Sequence, residues 1–264
     1  MPYHLPGRQW PEAFHFSTAF PRFAYCSHIP QNPQSGPDGG KLLVAIHGSG
    51  RDAMAYRNAL IDFSEATGCV ILAPLFPTSP YGDGNADGYK YLVEQDIRYD
   101  LILLAMVAEL ETATGLCFDK FGLFGFSGGG HFAHRFLYVH PESLSAVSIG
   151  APGGITPLDP SQLCWTGTAD LPEIFGKPFD EEALKSIPIQ LVVGSNDSVR
   201  FASSTTASLS LIKGRNRIER IGELHDNYLK AGLSVRLDIV PDCGHEAMKI
   251  IPTVVGFMNG HFVK

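Results

Sequence analysis

The stretch from Phe121 to Gly130, FGLFGFSGGG, constrains this chain more than any other. An apolar run reads as a buried strand, a glycine-rich turn follows, and His131 to His140 reads as a helix that stops at Pro141. Inside the turn, Gly125-Phe126-Ser127-Gly128-Gly129 is a G-x-S-x-G pattern. A serine at a sharp strand-to-helix turn needs neighbours without a Cβ, and the turn lifts its hydroxyl above the sheet edge. The helix behind it points N–H groups at the same place, which favours negative charge developing there.

The remaining chain supplies a sheet for such a turn. Lys41–Ile46, Cys69–Pro74, Leu144–Gly150, Pro188–Val193 and Ser234–Val240 are short apolar strands, and two further strands are predicted over Phe14–Ala19 and Arg22–Ile29. Predicted helices lie between them. One runs from Asp52 to about Thr67, one from Tyr89 to Thr114, one from Arg215 to Lys230, and one closes the chain. Strands that tolerate burial on both faces, alternating with helices, predict an α/β fold with a mostly parallel sheet covered on both sides. The 264 residues suit one domain, 1–264, and the Pro- and Gly-rich segment 151–187 reads as a cap-like insertion over the sheet. Leu75 to Gly88 is a long polar loop, and Phe201 to Lys213 carries no clear pattern.

Ligands of such sheets bind beyond the carboxyl ends of the strands. Ser49, Ser127, Asp197 and His245 all follow predicted strands, so all four are expected on that edge. Ser127 needs a base, and His245, in the turn after the last strand, is the candidate. Asp197 is the candidate acid, preferred over Asp170 and Asp242 by its place after a strand. Developing negative charge would be met by the amides of Gly128 and Ser49, with His47 holding the turn of Ser49 by hydrogen bonds. Phe126 and Trp165 are expected to line the substrate pocket. His131 and His134 have a spacing that could suggest a metal pair, but no third ligand follows with suitable spacing, so the site is expected to hold no metal and need no cofactor.

The segments His47-Gly48-Ser49-Gly50, Gly125-Phe126-Ser127-Gly128-Gly129, Gly194-Ser195-Asn196-Asp197 and Gly244-His245 occur in this order over nearly the whole chain after Lys41. Together they resemble the α/β-hydrolase superfamily. Gly128 to Pro141 followed by Ala151-Pro152-Gly153-Gly154 resembles its polyhydroxybutyrate-depolymerase-like and feruloyl-esterase-like serine esterases. Phe126 departs from the commoner Gly-His-Ser form. The resemblance implies hydrolysis of an uncharged ester or lactone through Ser127, His245 and Asp197. An amidase, a peptidase or a C–C bond hydrolase would use the same residues, and a fold that has lost catalysis and only binds is the reading from another class.

Composition narrows the partners. A formal net charge of −7 and no Lys/Arg block argue against a nucleic-acid surface. No apolar run approaches the roughly 18–20 residues of a bilayer span. Met1 to Pro11 lacks the basic and apolar regions of a secretory signal, and five scattered cysteines without C-x-x-C read as reduced thiols. A cytoplasmic enzyme acting on a small molecule is the expectation.

Overall fold

The computed structural model describes residues 14–36, 39–200 and 214–262. The Phe201–Lys213 stretch lies outside these residues. Eight strands form the main sheet: β1 (His15–Phe16), β2 (Ala24–His28), β3 (Leu42–Ile46), β4 (Val70–Leu75), β5 (Phe121–Phe126), β6 (Leu144–Gly150), β7 (Ile189–Gly194) and β8 (Val235–Val240). Their spatial order is β1-β2-β4-β3-β5-β6-β7-β8. From β4 to β8 every pairing is parallel, while β1 and β2 add an antiparallel edge. Every residue of β3 and β5 is buried, which is why these strands show no alternation of apolar and polar residues.

The helices α1 (Ala53–Ala59), α2 (Ile61–Thr67), α3 (Tyr99–Thr114), α4 (Gly128–Val139), α5 (Leu171–Phe175), α6 (Glu181–Lys185), α7 (Arg217–Lys230) and α8 (Ala247–Phe262) surround the sheet. α4 packs on β3, β5 and β6, and α8 packs on β5, β6 and β7. α1 and α2 meet α8, while α4 is joined to α7 through the Tyr138 and Tyr228 hydroxyls, 2.8 Å apart. Helices therefore cover both faces, as the strand pattern predicts.

Two predicted helices differ from the structure. The Asp52–Thr67 helix is two helices, interrupted at the fully buried Leu60; Gly68 ends the second at φ 69°. The helix predicted from Tyr89 begins only at Tyr99. Before it come a single turn at Gly88–Tyr91 and a two-residue hairpin, Val93–Glu94 with Ile97–Arg98. The cause is a polar group that the chain takes inside. Glu94 is buried and accepts bonds from the Tyr99 hydroxyl at 2.6 Å and Asn85 Nδ2 at 2.5 Å. Leu92 and Gln95 turn with positive φ to place it there. Burying a carboxylate requires such partners, and the helical spacing of Val93 and Ile97 yields to that need.

Segment 151–187, between β6 and β7, is irregular apart from the five-residue helices α5 and α6. Its first part is seated along α4. The Gly154 amide donates to His131 Nε2 at 2.9 Å, the Thr156 amide to His134 Nε2 at 3.1 Å, and the Tyr138 hydroxyl to Thr156 O at 2.7 Å.

Asp100 ties the start of α3 to the end of α4. Its carboxylate is fully buried and accepts from Arg98 Nε at 2.9 Å, Arg98 Nη2 at 2.6 Å and His140 Nε2 at 2.8 Å. Burial alone would raise its pKa; the bonds from His140 and Arg98 outweigh it, and the net shift is downward. Breaking a buried pair leaves the partners uncompensated, so Asp100→Ala is expected to cost about 3 kcal/mol. Calorimetry should show the melting temperature lowered by roughly 6–12 °C. An unchanged melting temperature would contradict this role.

Candidate active site

Ser127 sits between β5 and α4 with φ 56° and ψ −113°, a backbone conformation that costs a side-chain-bearing residue energy. Close packing on both sides holds it there. Gly125 lies against the Gly129 carbonyl and the Ala133 methyl, and Gly129 lies against the carbonyls of Ile46 and His47. A Cβ on Gly129 would stand 2.9 Å from His47 O, closer than packed atoms tolerate. The Ser127 amide donates to Gly150 O at 2.8 Å, which pins the turn to the end of β6.

Three residues predicted from different parts of the sequence meet at this edge. Ser127 Oγ is 2.9 Å from His245 Nε2, and His245 Nδ1 is 2.6 Å from Asp197 Oδ2. The carboxylate accepts only, so Nδ1 carries the proton and donates it to Asp197. Nε2 is then bare and able to accept the Ser127 hydroxyl proton. The Asp197 side chain is fully buried, and His245 is 30% exposed. The Phe126 ring lies beside the imidazole with centroids 4.7 Å apart. The other candidate acids are placed elsewhere. Asp170 Oδ1 accepts from the Cys164 amide at 2.7 Å, and Asp242 is exposed in the turn after β8 with φ 51°.

The amides of Ser49 and Gly128 are the two N–H groups expected to meet negative charge developing near the hydroxyl. Gly128 opens α4, so its N–H has no acceptor within the helix. Among the described residues none accepts a bond from the Ser49 amide. Two groups brace the Ser49 turn. His47, fully buried, accepts from the Phe76 amide at Nε2 (3.0 Å) and donates from Nδ1 to Gly48 O (2.7 Å). Arg51 Nη1 donates to Ser49 O at 2.8 Å, while its Nη2 and Nε reach Ala86 O at 2.5 Å and Phe76 O at 3.3 Å. The long loop predicted at 75–88 is thus tied to this turn through one guanidinium. Tyr89 completes the corner: its hydroxyl fills the space that a Gly128 side chain would need and lies 3.4 Å from His47 O.

Trp165, expected beside Phe126, has its ring against Tyr91 (5.5 Å), Phe175 (6.2 Å) and the Arg135 guanidinium (4.9 Å). Arg135 lies two helical turns beyond Ser127, about 12 Å along α4. His131 and His134 each accept a backbone N–H of the 151–187 segment, as described above. Among the described residues no group of three or more His, Cys, Asp or Glu side chains could hold a metal ion. All five cysteines are free thiols. No described helix is long and apolar enough to cross a membrane.

No protein-family model matches the sequence, and a comparison with curated proteins finds no match. Solved structures do match. A poly(aspartic acid) hydrolase from Sphingomonas sp. KT-1 superposes with a TM-score of 0.73 at 20% identity, over 89% of this chain and 92% of the other. A poly(3-hydroxybutyrate) depolymerase from Bordetella parapertussis gives 0.71 at 20% identity, over 89% and 85%. A ferulic acid esterase gives 0.64 at 16% identity, over 95% and 96%. With the strand order and parallel register above, these likenesses establish the α/β-hydrolase fold.

The buried histidines should be measurable through acid stability. Burial holds His47 down to about 4, and burial with the Arg135 guanidinium holds His134 well below its usual value. The unfolded chain protonates near 6.5, so it binds more protons than the folded one between about pH 6.5 and 4. Stability from these groups is therefore lost as pH falls through that window, by about 3 kcal/mol at full effect for His47. His47→Gln is expected to flatten the fall of melting temperature between pH 6.5 and 4. Parallel curves for the two proteins would contradict a neutral, buried His47.

Proposed function

We propose that the protein is a serine hydrolase that cleaves a carboxylic ester or lactone through an acyl-enzyme on Ser127. The observation that carries this reading is the continuous chain from Ser127 Oγ through His245 to Asp197. Nε2 of His245 takes the hydroxyl proton as the oxygen attacks the carbonyl carbon. Asp197 keeps the proton on Nδ1 and stabilises the imidazolium. The amides of Ser49 and Gly128 receive the carbonyl oxygen as it becomes an oxyanion, each such donor being worth about 2.7–4 kcal/mol in related sites. The imidazolium then protonates the departing alcohol. A water, deprotonated by the same Nε2, attacks the acyl carbon and releases the acid with Ser127 restored.

Phe126 acts in this reading as the wall that positions the imidazole. Segment 151–187 starts at the end of β6 and is fastened to His131, one turn beyond Ser127, so it borders the entrance and limits substrate size. The named substrates of the similar structures include both ester and amide polymers. Amide hydrolysis on the same three residues is accordingly the second reading, and a panel of matched esters, lactones and amides at fixed pH separates the two.

Ser127→Ala is expected to fold normally and to lower kcat by about 10⁴–10⁶, with the remainder supplied by the oxyanion donors and binding. Asp197→Asn is expected to lose about 10³–10⁴ through the wrong imidazole tautomer. Initial rates on the preferred ester, with circular dichroism as the folding control, test both. Near-native turnover in either folded variant overturns its assigned role.

A further inference from the structure

Asp197 has a second partner that the three-residue scheme does not use. Its carboxylate is fully buried, and among the described residues two groups donate to it. His245 Nδ1 lies on Oδ2 at 2.6 Å, and Arg217 Nη1 lies 3.4 Å from Oδ1. Arg217 is the first residue of α7, with its side chain 19% exposed. The separation is long for an N–H···O bond, so the attraction is mainly that of opposite charges in a site poorly screened by water. A buried carboxylate facing only a neutral N–H donor is drawn toward its protonated form; a guanidinium beside it opposes that.

We propose that Arg217 is a positioning residue for the Ser127 reaction, a fixed cation on Asp197 Oδ1 that keeps Oδ2 on His245 and so extends activity to lower pH. The inference rests on the reading of Ser127, His245 and Asp197 given above. Two effects act in one direction. A fixed positive charge near the imidazole disfavours the imidazolium, and a carboxylate shared with arginine attracts a proton less strongly. Without Arg217 both effects are lost, and activity is expected to fall away earlier as the solution is acidified.

The neighbouring charges are compatible with this. The charge of Arg217 is felt by His131 on α4 and by Arg220 one turn further along α7. His131 is held well below its ordinary value, chiefly by burial, with Arg135, His134, Lys90 and Arg217 adding to it, so it is neutral across the working range. Arg220 adds positive charge and donates to Gly153 O and Gly214 O. Burial pushes up the thiol of Cys243, in the turn before His245, with the charges of Glu246 and Asp197 adding to it, so it too stays neutral.

The test is the pH profile of kcat/KM for a soluble ester in the wild type, Arg217→Gln, Arg217→Met and Arg217→Lys. In the two uncharged variants the acid limb is expected to move up by about one pH unit, with KM and the alkaline plateau changing by less than about tenfold. Arg217→Lys, which keeps the charge, should return the limb toward the wild-type position. Met offers an unbranched apolar chain should the Gln variant fail to fold. A lower plateau with an unmoved acid limb in a folded uncharged variant overturns the proposal, because a purely structural role would leave the limb in place. Ser127→Ala measured in parallel separates the two levels. Retained turnover there refutes the hydrolase reading itself, whereas lost turnover with an unmoved Arg217→Gln limb refutes only the role of Arg217.

Discussion

The contact on which the site depends is the approach of the Gly129 backbone to the carbonyls of Ile46 and His47, with Gly125 against Gly129 behind it. It brings the start of α4 onto the end of β3 closely enough that no side chain fits between them. Ser127 is left at φ 56° because the strand before it and the helix after it are both fixed. Strain of about 1–3 kcal/mol is sustained only when its surroundings over-determine the geometry. Here the surroundings are strands β3, β5 and β6, whose central residues are wholly buried. The same contact sets the end of β3, where the turn through Gly48 begins, against the turn of Ser127.

Around this rigid centre, polar groups are kept in one state by burial. His47 and His134 each have one ring nitrogen donating to a carbonyl and the other accepting from an amide, which fixes the tautomer and leaves no place for a second proton. Each therefore acts as a neutral spacer between backbone segments. His245 differs in its exposure and in its partners, a hydroxyl on one side and a carboxylate on the other. That contrast, more than the residue type, sets His245 apart from these two as an imidazole suited to move a proton.

Much of this was legible in the sequence where a local rule operates. The elbow strand and its helix, β6 and the order Ser127, Asp197, His245 follow from apolar runs, glycine turns and position after strands. The helix predicted from Tyr89 failed because periodicity cannot register that Glu94 will be taken inside by Tyr99 and Asn85. Trp165 is expected in the pocket from the position of its segment over the site; the sequence does not show that its ring also packs on the Arg135 guanidinium and the Tyr91 and Phe175 rings. Nothing in the sequence singles out Arg217 within the predicted Arg215–Lys230 helix, and only the approach of α7 to β7 reveals the carboxylate beside it. Arg51 was likewise silent, since three carbonyls from separate turns converge on it only in the folded chain.

The most direct test of the central claim is covalent trapping. The protein is treated with a fluorophosphonate, digested, and the modified peptide is sequenced by mass spectrometry. The account expects a single adduct on Ser127, formed in proportion to loss of ester hydrolysis and strongly slowed in His245→Ala. An adduct on another serine that accompanies the loss of activity, or full activity with Ser127 stoichiometrically modified, would contradict it.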